Sequence, residues 1–202
     1  LNRFHVKPTE HVWVNDRLVV SANRYNPIYA YDFGQGKMKI YQPYSKFKWL
    51  SNTSVSDLQG LSQLPDSGDT LVITKSLKDV MCLSIWDIPA IAPASESCVI
   101  PADIVKELYD RFARICILYD FDHTGVSFAN KHRKLYGFIP LFFTNGKFNT
   151  FDYKAKDLSD FIANRSLKDA AELIEYVCQE EYLYQGTSHQ VRMVEDGRDD
   201  IL

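Results

Sequence analysis

Cysteine is scarce in this sequence and never clustered. The four cysteines, Cys82, Cys98, Cys116 and Cys178, are widely spaced and include no C-x-x-C pair. That spacing argues against a zinc ribbon within the chain and for reduced structural thiols, as expected of a cytoplasmic protein. No apolar stretch approaches the roughly 20 residues that a membrane-spanning helix needs. Basic residues are not in excess: 23 Lys and Arg face 26 Asp and Glu, for a net charge of −3. This balance argues against a strongly basic nucleic-acid module. It leaves room for a nucleic-acid enzyme that combines a local basic strip with an acidic metal site. The phosphate-cradling pattern G-x-x-x-x-G-K-[ST] is missing, as are internal repeats and low-complexity tracts. No signal peptide is visible, and the chain begins with Leu1, which suggests a fragment or a processed form. What remains, 46% hydrophobic and 24% charged, is ordinary for a soluble globular protein. Its length suits one large domain or two small ones.

The most informative segment is Arg114-Ile-Cys-Ile-Leu-Tyr-Asp120-Phe-Asp122-His-Thr-Gly125. Ile115–Leu118 reads as a buried strand with two carboxylates at its C-terminal end. Side chains alternate along a strand, so Asp120 and Asp122 are expected on one side. Paired carboxylates of that kind hold a hard divalent cation, Mg2+ or Mn2+. Gly125 is expected to allow a tight turn into the next helix.

Around this segment the pattern changes near residue 66. Residues 1–66 are rich in Tyr, Trp, Phe, Asn and Pro, and their alternating β-branched runs predict a small β-rich subdomain. Gly34-Gln-Gly36 is a turn signal between two of its strands. From residue 67 to 165, short apolar strands alternate with helical patterns. Strands are predicted at 71–74, 90–92, 115–119 and 138–143, and helices at 77–86, 102–112 and 126–135. The order predicts an α/β unit with a mostly parallel four-stranded sheet flanked by helices. In such sheets ligands bind off the carboxyl ends of the strands, where Asp120 and Asp122 fall. Residues 157–184 again have helical spacing, so 166–202 is expected to be a helical segment followed by a polar tail.

Three charged segments follow three of these strands: Thr74-Lys75-Ser76-Leu77-Lys78-Asp79, the D-x-D itself, and Lys156-Asp157-Leu-Ser-Asp160. In this arrangement the chain resembles the Toprim domain of DNA primases, especially phage-type primases and primase-helicases. The likeness runs over roughly residues 71–165. It extends upstream to Asn26-Pro-Ile-Tyr-Ala-Tyr31, Ile40-Tyr-Gln-Pro43 and Lys46-Phe-Lys-Trp-Leu50. The resemblance implies a primase catalytic core that makes short RNA primers on single-stranded DNA by Mg2+-dependent nucleotidyl transfer. Its partners would be a DNA template, ribonucleoside triphosphates and a replicative helicase, with no membrane. It implies that Asp120 and Asp122 ligate metal, that Asp157 or Asp160 supports them, and that Asp79 is the family's aspartate at the first helix.

One departure from the family is plain. Toprim proteins usually carry Glu-Gly after the first strand, and here Lys75-Ser76 stand at those positions. A lysine cannot bind Mg2+, but Lys75 and Lys78 would serve as phosphate contacts and neutralise charge in the transition state. Glu96, which follows the second strand, is the candidate to supply the missing carboxylate. Lys46, Lys48 and Trp49 would contact template or nucleotide, the ring stacking on bases and the lysines neutralising phosphate.

Each residue also has a plainer reading. Asp120, Asp122 and Asp157 have the placement of helix N-caps, and Asp79 suits a helix N-terminus through the dipole. Lys75 and Lys78 read equally as solvated surface lysines, and Glu96 as an ordinary loop charge. The stretch at 46–49 reads as an alternating strand with Phe47 and Trp49 buried. Two further functional classes stay open: a Toprim nuclease, and a non-catalytic Toprim module that binds DNA or helps assemble a replisome.

Overall fold

The structure is a computed structural model that describes residues 1–95, 97–120, 122–141, 155–183, 192–195 and 198–201, with side chains described as far as residue 175. The chain divides into two compact units, Leu1–Asp57 and Leu58–Leu202.

The first unit is all β apart from one short 3-10 turn. It contains β1 (Val6–Pro8), β2 (His11–Val14), β3 (Arg17–Ser21), β4 (Tyr29–Gly34), β5 (Lys37–Tyr41) and β6 (Trp49–Ser51). Strands β1-β4-β5-β6 form one antiparallel sheet, and β2 pairs with β3 as a separate hairpin. Asn15 and Asp16 both take positive φ at the hairpin tip. Short polar side chains tolerate that backbone, which matches the right-handed twist of paired strands. The expected turn between β4 and β5 is there, with Gly34, Gln35 and Gly36 all at positive φ. Ile28, Ala30 and Ile40 form its small core, and Val12, Val20 and Leu50 pack against them.

The second unit begins earlier than the sequence pattern suggests, at Leu58 rather than residue 67. Leu58 is buried in the second unit's core. Gln59 exchanges both backbone hydrogen bonds with Ala92, at 2.7 and 2.9 Å. Composition alone does not reveal such long-range pairing. The elements that follow are β7 (Gly68–Thr74), α1 (Leu77–Leu83), β8 (Ala90–Ile91), α2 (Ala102–Arg111), β9 (Phe112–Leu118), α3 (His123–Tyr136) and β10 (Ile139–Pro140). After these come α4 (Leu158–Asn164), α5 (Leu167–Leu183) and an antiparallel ribbon of β11 (Arg192–Glu195) with β12 (Arg198–Ile201).

Strands β10-β9-β7-β8 form a four-stranded sheet in which every pair is parallel. This is the α/β architecture expected from the sequence. Strands of such a sheet are covered on both faces, so they read as continuous apolar runs. Leu71-Val-Ile73 and Ile115-Cys-Ile-Leu118 are accordingly buried at every position. Helix α2 places Val105 and Leu108 inward and its charged residues outward, then runs straight into β9 through buried Phe112.

Helix α1 is shorter than periodicity predicts. It ends at Leu83, followed by a 3-10 turn, Ser84–Trp86, and by Asp87 at φ 54°. The fourth strand is described only as Ile139–Pro140; the rest of its predicted range, from residue 142, lies outside the described residues. Among the described residues, no helix is long and apolar enough to cross a membrane.

Candidate functional site

The register of β7 against β9 creates the site. Thr74 lies beside Leu118 in the ladder. The chain therefore leaves both strands at the same level, with Lys75 on one and Tyr119-Asp120 on the other. Lys75 Nζ donates a hydrogen bond to Asp120 Oδ2 and lies 3.1 Å from Asp157 Oδ2. Asp120 is 5% exposed and Asp157 is 6% exposed. Two carboxylates buried this deeply are costly unless a cation compensates them. Burial alone would lower the Lys75 pKa. The hydrogen bond with Asp120 and the charges of Asp157 and Asp120 outweigh it, so the ammonium keeps its proton above the ordinary lysine range.

Asp157 is also the N-cap of α4. Its Oδ1 accepts from Asp160 N–H at 2.8 Å and from the Ser159 hydroxyl at 2.8 Å, leaving Oδ2 for Lys75. Burial pushes the Asp157 carboxyl up. The Asp160 N–H, the Lys75 charge, the Ser159 hydroxyl and the Lys78 charge together pull it below its ordinary value. Asp79, 2% exposed, completes the group. It accepts from the Ser76 hydroxyl at 2.8 Å and from Ser159 N–H at 3.0 Å. That second bond satisfies an α4 backbone donor which has no partner within its own helix. Burial and the neighbouring charge of Asp157 push the Asp79 carboxyl up to about 6, against the pull of Ser76, Ser159 and Lys78.

The D-x-D is arranged differently from the expectation. Strand β9 ends at Leu118, so Asp120 and Asp122 lie beyond it and strand alternation does not orient them. Asp120 turns to Lys75. Asp122 is the N-cap of α3, its Oδ1 accepting from Gly125 N–H at 2.9 Å. Gly125 is needed for space rather than for a left-handed turn. A Cβ there would stand 2.0 Å from the Asp120 carbonyl oxygen. Helix α3 is thus pressed against the backbone that carries the first aspartate.

The donor set can be weighed against a divalent metal ion. Carboxylate oxygens from Asp120 and Asp122 suit a hard cation. The position between Asp120 and Asp157 does not, because an ammonium stands there. Among the described residues, no group of three or more His, Cys, Asp or Glu is arranged to hold a metal ion. Asp160 gives its backbone N–H to Asp157, and its side chain is half-buried. Lys78 acts on Asp79 and Asp157 through its charge. Glu96 lies outside the described residues.

Lys75, Lys78, Asp79, Asp120 and Asp157 are therefore one electrostatic group. Ser76 and Ser159, which hold Asp79, were missed by the sequence reading. The signal available was the spacing Ser76-x-x-Asp79 and Asp157-x-Ser159 at two helix starts.

Lys46, Lys48 and Trp49 belong to the first unit, and all three are exposed. The alternating-strand reading of this stretch does not hold, because β6 starts only at Trp49 and Phe47 is 71% exposed. Trp49 stacks on Tyr41 with ring centroids 4.4 Å apart, and Lys39 Nζ lies 4.4 Å from its ring centre. Lys46 Nζ sits 5.7 Å from the Phe47 ring centre. Lys46, Phe47 and Trp49 are exposed, whereas Lys39 is buried.

No protein-family model matches the sequence, and no curated protein matches it. Solved structures do match. The primase fragment of the bacteriophage T7 primase-helicase protein aligns at 14% identity and TM-score 0.52, over 78% of this chain and 65% of that one. The E. coli primase catalytic core aligns at 16% identity and TM-score 0.57, over 87% of this chain and 67% of that one. A DnaG primase catalytic domain bound to single-stranded DNA aligns at 16% identity and TM-score 0.53, over 77% and 54%. This chain spans about two thirds of the T7 fragment's length. At these identities the likeness is one of fold. The chain shares the fold of these primase catalytic cores.

Proposed function

We propose that this chain is the catalytic core of a DNA primase, which makes short RNA primers on single-stranded DNA by Mg2+- or Mn2+-dependent nucleotidyl transfer. The observation that carries the reading is the charged group of Lys75, Lys78, Asp79, Asp120 and Asp157 at the carboxyl end of a parallel sheet with a primase-core fold. In open α/β sheets that end is where ligands bind.

A divalent cation held by Asp120 and Asp122 would neutralise charge on the nucleoside triphosphate as its phosphorus is attacked. The chain's own contribution is positioning and electrostatics, which dominate phosphoryl transfer. Lys75 is fixed by two carboxylates rather than left to sample rotamers, so its charge is preorganised. Lys78 extends the positive potential toward a triphosphate. Asp79 and Asp157 hold the start of α4 against this group through Ser159. Glu96 is our candidate for the carboxylate that Lys75 replaces. Lys46, Lys48 and Trp49 would take template or nucleotide by stacking and phosphate neutralisation.

Single-stranded DNA as template is supported by the likeness to a primase domain bound to it. A helicase partner is supported by the likeness to part of a primase-helicase protein. A non-catalytic Toprim module is the second reading, and the pairing of Asp120 with an ammonium favours it. Template-dependent incorporation of labelled ribonucleotides, with Mg2+ or Mn2+ supplied, decides between the readings. We expect short labelled products that disappear in the double variant Asp120→Asn, Asp122→Asn. Cleavage of the template instead would identify a nuclease, and no divalent-cation binding by the parent protein would favour the module.

A further inference from the structure

We infer that the Lys75 ammonium is the resident cation of this site, standing in for one divalent ion, so that the chain takes up a single metal ion where a two-metal site would take a pair. The inference rests on the reading of Asp120 and Asp122 as metal ligands. It goes beyond that reading by assigning the second cation position to a side chain.

The geometry is that of a bridging cation. Asp120 Oδ2, beyond the end of β9, and Asp157 Oδ2, at the start of α4, converge on one Nζ. Each carboxylate is nearly buried, while the lysine side chain is 25% exposed. Two buried carboxylates facing each other repel, so such a pair needs a cation between them or loses a charge by protonation. In two-metal phosphoryl-transfer sites a divalent ion occupies that kind of position, about 4 Å from its partner ion. Here a tethered single charge fills it. A second ion cannot enter without expelling Lys75 from two ion pairs, whereas a Mg2+ at Asp120 and Asp122 leaves the Lys75–Asp157 pair in place.

Other oxygens of Asp157 and Asp79 are already engaged. Asp157 Oδ1 accepts two hydrogen bonds at the start of α4, and Asp79 accepts from Ser76 and Ser159. A second ion between Asp120 and Asp157 would therefore have to displace the Lys75 ammonium. A lysine cannot dissociate, so one cationic charge of the site is independent of metal concentration.

The test is the number of Mn2+ ions bound by the full chain, counted by electron paramagnetic resonance and by titration calorimetry, with thermal melts confirming the fold. The parent is expected to bind one ion and the double variant Asp120→Asn, Asp122→Asn none. Lys75→Glu and the neutral Lys75→Met are each expected to bind one ion more than the parent. Lys75→Arg, which keeps the charge, is expected to stay at one. A parent that binds two ions overturns the inference, as do Glu and Met variants that bind no more than the parent. If Lys75→Met fails to fold without metal, recovery of its melting transition on adding Mn2+, with no such gain in the parent, supports it. Failure of primer synthesis with these ion counts intact would defeat the proposed reaction and leave the role of Lys75 standing.

Discussion

Asp79 and His132 are buried titratable residues whose pKa values shift in opposite directions. Asp79, pushed up to about 6 from an ordinary 3.8, gains a proton preference on folding. Its contribution to stability is full below pH 3.8 and is lost as pH rises through about 6. His132 is fully buried, its Nδ1–H donating to the Phe128 carbonyl at 2.8 Å and its Nε2 accepting from Ile100 N–H at 3.4 Å. Burial lowers its pKa below 6.5, so its contribution is present above 6.5 and is lost as pH falls. Denaturant unfolding between pH 4 and 8 should show Asp79→Asn losing less stability than the parent as pH rises. An identical slope for both proteins would contradict the assignment. Gly125 is the other decisive single position. Gly125→Ala forces a methyl group into the Asp120 backbone and should cost about 2 kcal/mol or more, read as a lower urea midpoint at unchanged slope. The resemblance marked this glycine, but the reason for it, a close approach rather than a turn, depends on packing that no local pattern encodes.

The strands and helices were legible where one periodicity dominates. Ile115–Leu118 and Leu71–Ile73 announce buried parallel strands because both faces are covered and every position is apolar. Asp122 and Gly137 mark the ends of α3 by an N-cap and a left-handed C-terminal residue. The helical spacing over 157–184 is realised as two helices, α4 and α5. Ser166 accepts from Asp169 N–H at 3.0 Å and starts α5 afresh, a cap that an apolar count passes over. Asp157 ties helix to site, and its substitutions separate two roles. Asp157→Ala removes the cap and a partner of Lys75, and should cost about 2 kcal/mol from the cap alone at the upper end, with more from the stranded charge. Asp157→Asn keeps a good cap and loses only the ion pair, so it should unfold at a denaturant midpoint between those of the parent and the Ala variant. Equal losses in both variants would show that the ion pair, not the cap, sets the stability of α4.

At the scale of the molecule, composition separated a β-rich first unit from an α/β second unit but misplaced their joint. Leu58 lies in the second unit's core, and Gln59 is bonded to Ala92 and Pro93, more than 30 residues away in sequence. The same limit applied at the site. Sequence placed acidic segments beyond several strands, and the fold brings Asp79, Asp120 and Asp157 together. Only the β7–β9 register shows that Lys75 lies among them rather than on the surface. That pairing sharpens the proposed function: in a primase-core fold, the carboxylate group that we propose for the reaction already holds one cationic side chain. The most direct measurement is RNA primer synthesis on single-stranded DNA with labelled ribonucleotides and Mg2+ or Mn2+. We predict short labelled RNA from the parent and none from Asp120→Asn with Asp122→Asn. The account is contradicted by a parent that binds the cation and makes no primer, or by a double variant that makes as much as the parent.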